Sequence, residues 1–359
     1  MNDMLKKMNK NTKSNLITYG IVIAAFVIMQ VLISAGSVSS LLEGLMVPLC
    51  VYVILAVSLN LVVGILGELS LGHAGFMCVG AFSSAFFSKC MRDVIENGAL
   101  RFFLAMLIGI AVAAVFGILI GIPVLRLKGD YLAIVTLAFG EIIKNLVNVL
   151  FIGKDSNGFH FSTKDVMGLN MEADGTVIVN GPQGITGTPQ DSTFLVGFIM
   201  ILITLFIVTN LINSRDGRAI MSIRDNRIAA ESVGINITKY KLMAFTISAA
   251  LAGGAGVLYA HNLSTLTANT NNFGYNQSIM ILVFVVLGGI GNIRGSIIAT
   301  VVLTLLPELL RSMDSYRMLI YAIVLIVMML VNWSPAIIDF RKRHSLKNLL
   351  GKAARKEAR

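Results

Sequence analysis

The segment FFLAMLIGIAVAAVFGILIGIPVL, Phe102–Leu125, runs for 24 residues without an Asp, Glu, Lys or Arg. At 1.5 Å per residue a helix of that length reaches about 36 Å, enough to cross the roughly 30 Å hydrocarbon core of a bilayer. Other uncharged runs cover Asn15–Leu42, Gly44–Gly67, Leu69–Ser88, Ser192–Ser214, Leu242–Ile293 and Met318–Ile338. One buried helix of a soluble enzyme could explain one such run. It could not explain seven, because solubility requires a polar face on most helices. Of the 359 residues 56% are apolar and 13% charged, against about 25% charged in soluble domains. The expected fold is all-α, a polytopic transmembrane helical bundle of about ten spans, some of them short broken or re-entrant helices. The spans are placed at 16–35, 41–66, 70–88, 101–125, 131–151, 192–213, 240–260, 276–291, 295–311 and 317–334.

The net charge of +10 is concentrated beside these spans. Lys6, Lys7, Lys10 and Lys13 form a basic N-terminus over residues 1–15. Arg341, Lys342, Arg343, Lys347, Lys352, Arg355, Lys356 and Arg359 form a basic tail within 336–359. With the N-terminus inside, 21 of the 29 Lys and Arg residues fall on the inner side, as the positive-inside rule requires. Both termini are then cytoplasmic, the transmembrane body covers 16–335, and the loop 152–191 is external. Juxtamembrane clusters of this kind suit anionic lipid headgroups, and no base-reading module accompanies them, so nucleic acid is excluded as a partner. The opening residues resemble a signal peptide, but the apolar stretch Leu16–Ile33 is longer than a usual h-region and more spans follow, so it reads as a retained first helix. Cys50, Cys78 and Cys90 have no metal-ligand or CxxC spacing and read as packing residues.

Two spans are glycine-rich and short. Gly72, Gly75 and Gly80 punctuate Leu69–Ser88, and Gly288, Gly289 and Gly291 close the segment that begins near Met280. Backbone leaves helical geometry at membrane depth only where protein or a watery cavity satisfies its polar groups. The segments are also alike: Val63-Gly64-Ile65-Leu66-Gly67 leads into Ser70-Leu71-Gly72, and Leu287-Gly288-Gly289-Ile290-Gly291 into Ile293-Arg294-Gly295. Paired interrupted segments mark an internal repeat around a pathway, for which Gly72, His73, Gly75, Phe76, Gly288, Gly289 and Gly291 are the candidate residues. Close helix packing through small residues explains the glycines equally well. His73 could contact substrate or a proton, or could order the broken helix as a neutral ring.

Between spans six and seven, the loop 214–239 carries Arg215–Ile235, too polar to cross. Ile220, Ile223, Ala230 and Val233 recur at helical spacing with Gly234 as a stop, which predicts a short amphipathic helix on the cytoplasmic face. From pattern alone it could lie in the lipid interface or dock into a groove on a soluble partner. The residues Gly217, Arg218, Ile223, Arg224, Asp225, Asn226, Ala229, Ala230 and Gly234 resemble the cytoplasmic coupling loop of the branched-chain amino-acid permease family of ABC importers. Ser58–Leu61, Leu69–Phe76, Asn180–Gly187, Tyr240–Ala249, Leu251–Tyr259 and Leu287–Gly295 continue the similarity in order, over about Leu45 to Asn332. The basic tail and the insert around Asn157–Val179 match less well. The resemblance is to the larger of two paired permease subunits. It implies an ATP-driven inward transport of branched-chain or related amino acids, with a sister permease, two cytoplasmic ATPase subunits and an external binding protein as partners.

No cofactor is expected on this chain. It has no GxxxxGK[ST] loop, so ATP and magnesium belong to the partner ATPase, and the chain is not itself an enzyme. A catalytic set is not visible either: His160, His261 and His344 are isolated, and no HExxH or GxSxG occurs. Glu141 with Lys144 and Glu308 with Arg311 are spaced as local helix pairs. Two alternatives stay open. Permeases for urea, short amides or sugars share these motifs. An ion-coupled secondary transporter would need ionisable groups along its pathway, and the 52 residues of Leu242–Ile293 offer only His261.

Overall fold

A computed structural model describes residues 10–36, 39–127, 129–172, 175–311 and 316–333. The basic tail, Lys6, Lys7 and Lys128 lie outside the described residues. In chain order come α1 (Lys10–Ser34), α2 (Ser40–Asn60), α3 (His73–Cys90), α4 (Gly98–Val124) and α5 (Asp130–Val149). A looped region follows with strands β1 (Phe151–Asp155), β2 (Gly158–Ser162), β3 (Thr176–Asn180) and β4 (Ile185–Thr186). Then come α6 (Phe194–Asn213), α7 (Arg215–Asp225), α8 (Arg227–Ser232), α9 (Ile237–Ala260), β5 (Thr265–Leu266), α10 (Thr270–Phe273), α11 (Tyr275–Gly288), α12 (Ile293–Leu309) and α13 (Arg317–Trp333).

Helices stand at all ten expected span positions. Among the described residues six of them, Leu16–Ser34, Ser40–Leu66, Gly98–Val124, Asp130–Val149, Phe194–Asn213 and Ile237–Ala260, have the length and apolarity to cross a membrane. The other four are α3, α11, α12 and α13, of 18, 14, 17 and 17 residues. In α11 the interruption that follows it sets the length. At 1.5 Å per residue the 14 residues of α11 reach only about 21 Å.

The second interruption falls at the glycines that close the Met280–Gly291 segment; the first falls at 67–72, ahead of most of the expected Leu69–Ser88 segment, and Gly75 and Gly80 lie inside the unbroken α3. After Asn60 the chain continues as a π-helix over Leu61–Leu66, then leaves helical geometry at Gly67 (φ 79°), where glycine tolerates the left-handed turn, and resumes at His73. The second gap, 289–292, separates α11 from α12 and ends where Asn292 caps α12 by accepting the Gly295 amide. α2 is the most enclosed span: Val51, Ile54, Leu55 and Ala56 are fully buried, and the helix packs against α6, α9, α11 and α12. α1 lies at the other extreme, with Leu16, Ile17, Val27, Ile28 and Val31 all more than half exposed, as lipid-facing residues should be. The three cysteines are free and buried.

The stretch 152–191, expected as a loop, carries a small sheet. β1 pairs antiparallel with β2 and with β3, in the order β2-β1-β3, and β4 pairs with β5. A turn at Asp155 makes the first hairpin: its Oδ1 accepts the amides of Asn157 (2.8 Å) and Gly158 (3.1 Å), the side-chain turn that Asp favours. The second carboxylate oxygen, Oδ2, meets His160 Nε2 at 2.9 Å and accepts the Glu172 amide. Lys89 in the last turn of α3 donates to the Val177 carbonyl at 3.0 Å and so ties the sheet to the bundle.

Candidate functional site

The polar segment 214–239 forms two short helices, where one was expected. Asn226 interrupts them with extended backbone (φ −156°, ψ 104°), and its Oδ1 accepts the Ala229 amide to cap α8. A side chain that can bond nearby backbone competes with helix continuation, which is why Asn favours this position. The kink re-aims the second helix. Ile220, Ile223 and Ala230 are buried as the spacing required, but Val233 is 75% exposed, and so is Ile228, at 81%. Ile228 was not among the candidates. Its signal was an isoleucine one step out of register with the buried set.

Most of the remaining candidates here bond within the chain. Gly217 lies against the Leu211 and Ile212 carbonyls, leaving no room for a side chain. Arg218 Nη1 donates to the Asn213 carbonyl (3.2 Å) at the end of α6, a favourable place for a cation. Ile223 packs with Ala230 and Ile237. Gly234 ends α8 with φ 85°. Asp225, 67% exposed in its side chain, pairs with Arg224 at 3.0 Å, and Ala229 is exposed.

Arg224 points inward as well as outward. Its Nη1 donates to the Gly64 carbonyl at 2.8 Å, and its stem lies over Gly67, where an added Cβ would sit 2.5 Å from Arg224 Cγ. That carbonyl belongs to the last turn of the π-helix. The Gly67 and Glu68 amides both turn back to the Val62 carbonyl, so Gly64 is left without a backbone donor and Arg224 supplies one. One turn earlier Asn60, fully buried, donates to Ser296 Oγ (2.8 Å) and accepts the Gly291 amide (2.8 Å). A Cβ on Gly64 would collide with both Asn60 Oδ1 and the Gly291 nitrogen. The two look-alike glycine motifs therefore meet in space, joined by Asn60 and contacted from α7 by Arg224. Lys241, 4% exposed, pairs with Glu68 at the same end.

The other pathway candidates are packing positions in this chain. Gly72 lies against the Thr136 carbonyl, Gly75 against the Gly140 backbone, Gly288 against Gly295 and Ser296; Phe76 is enclosed by Phe139 and Phe245. Gly289 turns the second interruption with φ 95°. His73, 2% exposed, bonds the Ser58 hydroxyl at 2.8 Å. Nearby, Ser278 Oγ accepts the Ala74 amide, and Thr136 Oγ1 accepts that of Leu71, each satisfying backbone released by the interruption. Glu141 pairs with Lys144 and accepts the Tyr275 amide at the start of α11, and Glu308 pairs with Arg311 at 3.1 Å. Among the described residues no group of three His, Cys, Asp or Glu is placed to hold a metal ion.

The high-affinity branched-chain amino acid transport system permease protein LivM of Salmonella typhimurium is 35% identical over 317 residues, covering 86% of this chain and 72% of that protein. LivM of Escherichia coli K12 is 36% identical, covering 79% and 67%. The corresponding permease protein LivH of Escherichia coli K12 is a more distant relative, 24% identical over 70% of this chain and 79% of its own. No solved structure matches. The family model of the branched-chain amino acid transport system permease component matches residues 41–331, and the chain belongs to that family of membrane proteins.

Proposed function

We propose that the chain is the larger permease subunit of an ATP-driven importer that moves branched-chain amino acids into a prokaryotic cell. The observation that carries this reading is the helix pair α7–α8. Its one side is anchored in the bundle through Ile220, Ile223 and Arg224, while Ile228 and Val233 stand exposed beside Asp225 and Arg227. Exposed apolar residues rimmed by charge suit insertion into a groove on a soluble partner, here a cytoplasmic ATPase that holds the ATP and magnesium. The similarity to both LivM and LivH supports a sister permease as the other half of the pathway. Ten crossings with both termini cytoplasmic place α7–α8 inside and the sheet-bearing loop 152–191 outside, where a binding protein would deliver substrate. The two helix interruptions then lie at the inner end of the pathway.

The test is purification from mild detergent followed by reconstitution. Two ATPase subunits and a second permease should copurify, and uptake should require ATP and the binding protein. Ile228→Asp should release the ATPase while the two permeases stay together. Uptake that persists without ATP and collapses with the proton gradient would make the chain a secondary transporter instead.

A further inference from the structure

Resting on that reading, we infer that Arg224 and Asn60 are positioning residues that join the coupling helices to both helix interruptions, so that ATPase motion displaces the two together. Three observations carry this. First, Arg224 is held between an exposed partner, Asp225, and an internal one, the Gly64 carbonyl. A guanidinium is a rigid fork that can hold both at once. Its hold on Gly64 therefore follows any displacement of α7. Second, the segment it grips is a π-helix that ends in a left-handed glycine. Such a turn has fewer competing backbone bonds than an α-helix, and π-helical insertions occur often at functional sites. Third, Asn60 begins that same π-helix and bonds the second interruption at two points, the Gly291 amide and the Ser296 hydroxyl. Ser296 in turn donates to the Asn292 carbonyl, and Thr300 to the Ser296 carbonyl, which carries the contact into α12. The two sets of bonds are joined by the backbone turn Asn60–Gly64, so that side-chain contacts and that turn together lead from α7 to the second interruption. They pass through side chains 160 and 231 residues apart from their partners in sequence.

A contiguous set of bonds is a physical route for coupling only if breaking it alters how one end drives the other. The informative quantity is therefore amino acid taken up per ATP hydrolysed, measured in vesicles containing the complete complex with its binding protein. Asn60→Ala lies in the interior, away from the exposed faces of α7 and α8, and should lower that ratio about tenfold, within the usual range of coupling between sites. Arg224→Lys keeps the charge but not the fork, and should lower it in the same direction. The double variant should be no worse than the worse single one, since both changes break the same link. Ser296→Ala removes one of the two bonds at the far end and should give a smaller loss. It also carries the test if Asn60→Ala does not assemble.

A wild-type ratio in both Ser296→Ala and Arg224→Lys overturns the inference, as do losses that multiply in the double variant. Failure of the wild-type chain to copurify with an ATPase is a different result. It would overturn the importer reading itself.

Discussion

Replacing Gly75 with alanine should destabilise the membrane bundle, although the same change at Gly20 should not. A Cβ built on Gly75 in α3 falls 2.7 Å from the Cα of Gly140 in α5 and 3.3 Å from Phe139 Cε1, while one on Gly20 meets nothing within 4 Å. Ordinary carbon contacts begin near 3.4 Å, so α3 and α5 must separate by about 0.7 Å. Gly140 cannot relieve the clash by a rotamer change, because its contacting atom is backbone. Overpacking of this kind costs about 1–3 kcal/mol, offset by up to about 1 kcal/mol of helix propensity gained on leaving glycine. The expected net loss is about 1–2 kcal/mol for Gly75→Ala, against a gain of a few tenths to about 1 kcal/mol for Gly20→Ala. Reversible unfolding of the purified chain in mixed micelles, read by helical circular dichroism, measures the difference directly. Equal stability of the two variants would refute close packing at Gly75. It would show that α3 and α5 are separated there by space, as a pathway-lining glycine requires.

Lys144→Met should cost about 3 kcal/mol, because it leaves Glu141 half-buried with only the Tyr275 amide, and adding Glu141→Gln should recover much of it; unfolding of single and double variants measures this. Burial pushes the Asp155 carboxyl up, but the Glu172 and Asn157 amides and the neighbouring His160 outweigh that and hold it below its ordinary value of 3.8. The sheet therefore gains stability above pH 3.8 that is lost as the pH falls towards the lower native value, and Asp155→Asn should abolish the dependence in amide exchange of β1 and β2. Ser58→Ala removes the hydroxyl partner of His73 and should cost about 1 kcal/mol of stability. If uptake is driven by ATP and not protons, His73→Gln should leave its pH profile unchanged in the reconstituted complex.

The helices were legible because charge is costly in hydrocarbon: each expected span holds a helix, although the 52-residue run Leu242–Ile293 is divided among α9, β5, α10 and α11. The second interruption was legible in Gly288-Gly289-Ile290-Gly291, where Gly289 takes up positive φ, whereas the first turns at Gly67, ahead of the glycines Gly72, Gly75 and Gly80 that pointed to it. The sheet was not. Thr176-Val177-Ile178-Val179 has strand character, but its partner Phe151–Lys154 reads as a continuation of α5, and β2 lies between the two in sequence. In the loop 214–239 the buried face was legible from Ile220, Ile223 and Ala230. The kink was not, since Asn226 had been counted within a continuing helix, and that error placed Val233 on the wrong side. The partner of Arg224 was hidden for a simpler reason. A charged residue in an exposed loop points to an external contact, and nothing local betrays a carbonyl 160 residues away.

The polar side chains of the interior share one task, and it limits what their number can mean. Asn60, Ser278 and Thr136 are buried, which would be costly for isolated polar groups in a membrane. Each bonds an amide beside an interruption: Gly291, Ala74 and Leu71. Arg224 does the same for the Gly64 carbonyl from outside the bundle. Once the chain abandons helical geometry at Gly67 and Gly289, such partners become obligatory. Their presence therefore follows from the interruptions and does not by itself mark a substrate site. What the folding requirement does not explain is the choice of partner. Gly64 is buried, but it lies within one turn of the exposed Gly67, and Arg224 reaches it from an exposed position. An arginine carried on a separate helix pair is a stronger tie than satisfaction of one acceptor demands. That excess is the reason to look for the driving contact at Arg224 before any of the buried groups.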